Sequence, residues 1–306
     1  MEKNLEDKII YKKVLGEIKG NKNIPIENSL NRTSIFGPWN DKAINSELLA
    51  PIMSMGKTAY SYQLIGSRLD QDVDYPVLAL IIKHWLNKRL INPEYQESFK
   101  VPLDEISALF QKSYKTQKRK NYKWLDKSLD RLCTAAIYLK IKRDKKTIET
   151  DRAALLSRGR LNYDEGDNKY IEVEIGGILK DLYKNLDVTS LDITFMDLEL
   201  LEQATSKNSK VLMRYLMTQR SDFIEFSLPL LLSLIEPEKP QKSKLGHGRK
   251  KVKTAIEKLM DIGFVTLYEP NNEKNWDKVK IITSLVTTDI LVAQKIINNG
   301  KTNYDQ

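Results

Sequence analysis

Apolar residues recur at helical spacing in several stretches of the chain, and short extended segments lie between them. The predicted helices are Val77–Leu90, Leu103–Gln111, Asn121–Ala136, Asp197–Gln219, Leu230–Ile235 and Arg249–Met260. The predicted extended segments are Phe99–Val101, Ile137–Arg143, Phe223–Ser227, Phe264–Tyr268 and Lys278–Ile282. Pro102 and Pro229 suit the first turn of a helix, and Gly263 suits a left-handed helix end. The pattern therefore predicts one order twice: helix, strand, helix, turn, helix and β-hairpin.

A shift of 127 residues brings the two copies into register without a gap. Val101–Leu103 then falls on Leu228–Leu230, and Leu125–Cys133 falls on Val252–Met260. A repeat of this length indicates two copies of one domain. The repeated order is that of a winged helix, in which the last helix enters the major groove of DNA.

We therefore expect an α+β fold: tandem winged-helix domains, each a helix-turn-helix plus a β-wing, with an N-terminal strand and loop extension. Residues 1–58 are predicted to form the extension, which is partly flexible, and residues 59–185 the first winged-helix domain. Residues 186–284 are predicted to form the second domain, which follows a short connector at Leu186–Asp192. Residues 285–306 form a C-terminal tail with a predicted helix at Asp289–Asn298.

Composition narrows the class of protein. The 306 residues include 50 Lys and Arg against 41 Asp and Glu, a net charge of +9, with 41% hydrophobic residues. These proportions are typical of a globular protein, and no apolar run approaches the roughly 20 residues that cross a bilayer. The single cysteine, Cys133, excludes an internal disulfide framework and a multi-cysteine metal site. We expect a cytoplasmic protein with no membrane contact, metal or cofactor.

The positive charge is concentrated in two runs that contain no acid, Lys112–Lys123 and Lys239–Lys253. Like charges at this density repel one another and favour a polyanionic partner. The residues predicted to bind DNA are Lys112, Lys115, Lys118, Arg119, Lys120, Lys123, Lys127, Arg131, Arg143, Lys145, Lys242, Lys244, His247, Arg249, Lys250, Lys253, Thr254, Lys258 and Lys278. The candidates to reach base edges are Arg119, Lys123, Lys127, Arg249, Lys250, Lys253 and Thr254. Further wing cations are predicted at Lys142, Lys146, Lys274 and Lys280. Tyr114 and Tyr122 fit either a sugar or base contact or a place in the core.

The sequence contains no complete catalytic pattern. Gly56-Lys57-Thr58 ends like a phosphate-binding loop, but Pro51 stands where that loop needs glycine. His84 and His247 are too far apart in sequence to indicate a metal-dependent nuclease, and Cys133 lies on the apolar side of its helix. The aspartates of Asp70–Asp74 precede a helix, where they favour its dipole. We expect no enzymatic activity.

The segments Asn31–Gly37 and Gln63–Asp74 accompany the duplicated pattern, and Ala154–Ser157 begins a predicted β-hairpin that returns through Lys169–Ile175. Together they resemble the TrfA-like plasmid replication initiators, from about Arg32 to Ser284. The resemblance implies binding to repeated sites (iterons) in the double-stranded DNA of a plasmid origin, opening of the origin, and recruitment of host replication proteins such as the initiator and the helicase. It also implies passage between dimers and monomers, and DNA-reading helices at Asn121–Arg131 and Arg249–Lys258.

The sequence thus predicts a plasmid replication initiator that binds DNA through two winged helices. Two alternatives stay open at this point. One is a dimeric winged-helix transcriptional repressor, which would bind a palindrome instead of direct repeats. The other is a winged-helix protein-interaction scaffold, whose basic faces would meet acidic proteins.

Overall fold

The structure is a computed structural model of the chain. It describes residues 23–38, 53–55, 58–92, 94–95, 98–111, 122–143, 146–149, 151–163, 169–183, 193–219, 224–236 and 245–284. These residues form helices and small sheets of two to four strands, a mixed α/β arrangement. No helix among them has both the length and the apolar composition that crossing a membrane would require.

The first described elements form an N-terminal segment that packs into the core. They are β1 (Asn23–Glu27), α1 (Asn28–Arg32), β2 (Phe36–Gly37), β3 (Met53–Met55), β4 (Thr58–Ile65) and β5 (Leu69–Asp70). Glu27 caps α1, since its carboxylate accepts the backbone N–H of Ser29 at 2.7 Å. Ile24, Ile26 and Leu30 are all buried, so this part of the predicted extension belongs to the folded body.

A helix–strand–helix–helix arrangement follows. Its elements are α2 (Asp74–Ile91), β6 (Phe99–Pro102), α3 (Leu103–Gln111) and α4 (Lys123–Thr134). Buried residues lie all around α2, because it contacts β1, β5, α3 and α4. By contrast, α4 buries one face through Leu125, Leu129 and Leu132 and leaves the other in solvent.

The strands after α4 divide between two sheets. They are β7 (Ala136–Arg143), β8 (Lys146–Glu149), β9 (Leu156–Tyr163) and β10 (Lys169–Ile175). β7 and β8 join a four-stranded sheet of order β3-β4-β7-β8, whereas β9 and β10 form a three-stranded sheet of order β6-β10-β9. The hairpin that completes the first repeat is therefore β9–β10. The predicted wing cations Lys142, Arg143 and Lys146 stand at the turn end of the hairpin β7–β8, which follows α4 directly but joins the sheet of β4.

The remaining elements lead into and form the second repeat. They are α5 (Gly177–Leu182), β11 (Ile193–Asp197), α6 (Leu198–Gln203), α7 (Lys207–Met217), β12 (Ile224–Ser227), α8 (Leu228–Ile235), α9 (Leu245–Asp261), β13 (Val265–Pro270) and β14 (Lys278–Thr283). The predicted long helix Asp197–Gln219 is in fact two helices. The break comes at Ser206, whose hydroxyl accepts the N–H of Ser209 and so starts α7.

We call α2 to β10 unit 1 and α7 to β14 unit 2. The sheet of unit 2 has the order β12-β14-β13, which matches β6-β10-β9 of unit 1 strand for strand. Both units therefore share one order of helices and one sheet topology. Unit 1 differs by the inserted hairpin β7–β8, which lies between α4 and β9.

The structure also corrects the register of the repeat. β6 begins at Phe99 and β12 at Ile224, an offset of 125 residues, and each strand leads directly into a helix. The later helices keep the predicted offset of 127, since buried Leu125 matches buried Val252. The start of α8 is therefore two residues farther from Val252 than the start of α3 is from Leu125, and the ungapped register was wrong for the strand and first helix.

The N-terminal segment joins the two units. Strand β1 contacts α2 and pairs antiparallel with β11, just before unit 2. Arg214 of α7 is fully buried and donates to the carbonyl oxygens of Leu30 at 3.0 Å and Phe36 at 2.7 Å. Its guanidinium lies 4.4 Å from the ring centroid of Tyr75, the second residue of α2. Burial lowers the pKa of Arg214 to about 10, which still leaves it charged near neutral pH.

Candidate nucleic-acid interface

Helix α9 has one buried face and one cationic face. Val252, Ala255, Ile256 and Leu259 are buried at helical spacing against the rest of unit 2. The residues exposed on the opposite side over the first three turns include His247, Lys250, Lys253 and Thr254. All four were predicted to bind DNA. The acidic exposed residues of this helix, Glu257 and Asp261, lie toward its end.

These side chains differ in what surrounds them. Within the described part of the chain, Lys250 has no ion-pair partner, and Lys253 has only the exposed Glu257 one turn on, at 3.7 Å. Such an exposed pair contributes little to stability, and it leaves the charge of Lys253 available to an anion. Lys258 is half-buried and lies nearer the flank of the helix. The next cation, Lys251, points elsewhere and pairs with Glu236 at the end of α8.

The start of α9 lies unusually close to α8. A β-carbon placed on Gly248 would fall 2.8 Å from a terminal methyl of Leu232, which is itself buried. A glycine in the first turn thus lets the cationic end of α9 sit against α8. At the other end, Gly263 adopts a φ of 72° and ends the helix as predicted, with its N–H donating to the carbonyl of Met260.

Arg249 does not lie on the exposed cationic stripe. Its Nε donates to the carbonyl oxygen of Trp276 at 2.7 Å, and its Nη1 donates to Oδ1 of Asn275 at 3.4 Å. Both partners belong to the turn between β13 and β14. Arg249, which was predicted to reach base edges, therefore joins the beginning of α9 to the turn of the hairpin.

The cations of that hairpin are mostly paired. Lys278 contacts Glu225 at 2.9 Å and Lys280 contacts Glu269 at 3.3 Å, in both cases across neighbouring strands. Lys274, in the turn itself, is exposed. A hydrogen bond from Asn271 lowers the pKa of Asp277 in the same turn, with smaller contributions from Lys278 and Arg249.

Helix α4 presents a different surface from α9. Its exposed residues include Lys123 and Lys127, as predicted, but Asp126 and Asp130 stand on the same exposed side. Positive and negative side chains alternate, so the helix surface itself is close to neutral.

Arg131, the third predicted cation of α4, points inward. Its Nε and Nη2 donate to the two carboxylate oxygens of Asp74 at 2.8 and 2.7 Å, while Ser128 donates to the same group at 2.6 Å. Burial acts to lower the pKa of Arg131, but its bonds to Asp74 outweigh that effect and raise it. The prediction that Arg131 faces DNA is therefore corrected: it fastens α4 to the start of α2.

We call Asp70–Asp74 the acidic turn. Asp70 accepts the backbone N–H groups of Asp72 and Val73 and so holds together the turn that precedes α2, while Asp74 stands in the first turn of that helix. Asp70 also pairs with Lys207, and Asp72 lies 3.2 Å from Lys210. The acidic turn thus holds α4 of unit 1 on one side and α7 of unit 2 on the other.

Several predicted residues fall outside the described ranges. They are Lys112, Lys115, Lys118, Arg119, Lys120, Lys145, Lys242 and Lys244, and with them Tyr114, the connector Leu186–Asp192 and the tail helix Asp289–Asn298. Arg143 ends β7, away from the β9–β10 hairpin. Tyr122, with a φ of 46°, packs against the core just before α4.

Sequence reasoning missed two exposed arginines on β9, Arg158 and Arg160. They stand opposite Glu174 and Glu172 of β10 in the strand register. The sequence Arg158-Gly159-Arg160 within a predicted hairpin is the signal that could have found them. It is a weaker signal than the two dense basic runs, because it contains only two cations.

No protein-family model matches the chain. No curated protein matches it either. Among solved structures, the crystal structure of domains 2 and 3 of RctB is similar in its overall trace. The two sequences are 11% identical, the alignment covers 82% of this chain and 94% of that chain, and the TM-score is 0.49. A likeness of this degree establishes no function.

Proposed function

We propose that the chain is a sequence-specific, non-enzymatic DNA-binding protein that initiates replication at repeated sites of a plasmid origin. The observation that carries the proposal is the exposed cationic face of α9, beside a β-hairpin. The shared order and sheet topology of the two units support their assignment as tandem winged helices. The resemblance of the sequence to TrfA-like initiators supports the role at an origin.

Unit 2 is the principal reader in this proposal. Its helix α9 offers Lys250, Lys253 and Thr254 at a spacing that places them along one side of a helix lying in a major groove. His247, one turn before Lys250, lies where a phosphate would approach the helix start. Lys274 on the hairpin turn is placed to contact the backbone.

Unit 1 contributes differently. Because Arg131 is engaged by Asp74 and the surface of α4 is charge-balanced, α4 adds little positive potential of its own. We propose that unit 1 adds affinity mainly through the basic run before α4 and by sharing one connected body with unit 2. Self-association and recruitment of host replication proteins belong to the same proposal.

Footprinting tests this function. DNA flanking the gene is digested with and without protein, using the unchanged chain, a Lys250→Gln/Lys253→Gln variant and a Lys251→Gln control. Lys251 carries the same charge on the same helix but pairs with Glu236. We expect protection of direct repeats by the unchanged chain and the control, and weak protection by the double variant.

Other outcomes point to other functions. Protection of a single palindrome would indicate the repressor instead. No sequence-selective protection, with capture of acidic proteins, would indicate the scaffold. Equal loss of protection in the double variant and the control would contradict the assignment of the α9 face.

A further inference from the structure

We propose that Arg249 is a positioning residue that locks the β13–β14 turn to the first turn of α9, and that it reads neither base nor phosphate. This inference rests on the proposed DNA-binding function. It changes the role predicted for Arg249 from contact with DNA to preparation of the surface that makes the contact.

The hydrogen bonds of Arg249 join two segments that are each held in place by other contacts. On the hairpin side, Arg249 Nε reaches the backbone carbonyl of Trp276 at 2.7 Å, and the Trp276 side chain is buried edge-on against Tyr268 of β13. On the helix side, Gly248 holds the first turn of α9 tightly against α8. Arg249 thus links two anchored pieces of backbone instead of two mobile surfaces.

The turn itself is a single hydrogen-bonded body. Oδ1 of Asn272 accepts the N–H groups of Lys274 and Asn275, each at 3.0 Å. The Asn271 side chain donates to Asp277 at 2.6 Å, and its Oδ1 accepts the N–H of Asp277 at 3.2 Å. Because the turn holds together internally, fixing Asn275 and Trp276 also fixes the exposed Lys274.

Arginine is specifically suited to this link. Its planar guanidinium holds Nε and Nη1 in fixed, different directions, which here reach a carbonyl and a side-chain amide. Lysine keeps the charge but cannot make the same pair of directed bonds. The substitution Arg249→Lys therefore separates positioning from charge.

The functional consequence is preorganisation. To contact one duplex at the same time, Lys250 and Lys253 on α9 and Lys274 on the turn must keep fixed positions relative to one another. When the turn is already fixed, binding does not have to order it. Without the link, we expect affinity to fall by about tenfold while the same phosphates are still neutralised in the complex.

Salt dependence distinguishes the two roles. The slope of log affinity against log salt changes by about 0.9 for each phosphate of duplex DNA that a variant no longer neutralises. We expect Lys250→Gln to reduce the slope by about that amount. Arg249→Gln and Arg249→Lys are both expected to weaken binding and leave the slope unchanged.

A DNA-free measurement completes the test. Hydrogen exchange of the Asn275 and Asp277 amides, followed in the full chain, is expected to accelerate in both Arg249 variants and not in Lys250→Gln. Unchanged exchange in Arg249→Gln overturns the positioning role. The positioning role is also overturned if Arg249→Lys binds with unchanged affinity and Arg249→Gln reduces the salt slope. Those two results together indicate that Arg249 contacts a phosphate. Failure of the unchanged protein to bind any duplex defeats the proposed function instead, and the exchange result still decides the link.

Discussion

Arg131 and Lys258 occupy matching positions in α4 and α9, yet their surroundings give them different tasks. Arg131 meets a fully buried carboxylate, Asp74, whereas Lys258 has no such partner among the described residues. The sequence shows two cations at equivalent places on two amphipathic helices. It does not show that Asp74, 57 residues earlier, folds against only one of them. A residue's role therefore depends on a distant neighbour that periodicity does not reveal.

The Arg131–Asp74 pair gives a stability prediction. Replacing Asp74 with Ala leaves Arg131 without its carboxylate and deprives Ser128 and the N–H of Asp70 of their acceptor. Breaking a buried pair on one side costs about 3–5 kcal/mol of unfolding free energy. Urea denaturation measures this cost. Asp126→Ala, on the exposed side of α4, serves as the control and should change stability by less than about 0.5 kcal/mol. A decrease of less than about 1 kcal/mol for Asp74→Ala would speak against the pair as the fastening of α4.

Cys133 gives a prediction of pH dependence. Burial, together with the charge of Asp130, raises the pKa of its thiol to about 11. Because a raised pKa keeps the thiol protonated, the reactive thiolate is roughly a hundredfold scarcer at pH 8 than in an exposed cysteine. Alkylation of the folded chain should be slow at pH 8 and accelerate as the pH approaches 11. Equal rates for the folded and the urea-unfolded chain at pH 8 would contradict this environment.

At the scale of elements, local sequence patterns predicted the positions of helices and strands better than they predicted which strands pair. The helix–strand–helix order of both units and the glycine end of α9 follow from apolar spacing and turn residues, and the structure has them. Alternation in Ile137–Arg143 identifies the strand β7 without naming its neighbours, so it does not show that β7 joins a sheet separate from that of β6. One of those neighbours, β4, lies far earlier in the chain, and only the three-dimensional pairing reveals it.

The contact between α8 and α9 predicts opposite effects for two nearby glycines. Gly246 has open space where a β-carbon would stand, so Gly246→Ala should stabilise the chain by about 0.5–1 kcal/mol through helix propensity. Gly248→Ala pushes against buried Leu232, and the overpacking cost of about 1–3 kcal/mol exceeds that gain. Thermal unfolding of the two variants measures the difference. Equal stabilisation by both would show that the helices are not in close contact at Gly248.

At the scale of the whole molecule, the two units are alike in fold and unlike in surface. The N-terminal segment and the acidic turn connect them through Arg214, Lys207 and Lys210. The sequence predicted the duplication but also predicted two equivalent cationic helices. The described residues support only one such surface, on α9, because Asp74 engages Arg131 of α4 and exposed aspartates on that helix offset its two exposed lysines. Charge counts along a sequence do not record which cations are already paired.

The most direct test of the central claim compares the two helices by salt dependence. Duplex affinity is measured from low to moderate salt for the unchanged chain and for two double variants, Lys250→Gln/Lys253→Gln on α9 and Lys123→Gln/Lys127→Gln on α4. We predict that the α9 variant flattens the slope by up to about 1.8, since two phosphates contribute about 0.9 each, and that the α4 variant changes it by less than half as much. An equal or larger change in the α4 variant would contradict the account, as would an unchanged slope in the α9 variant.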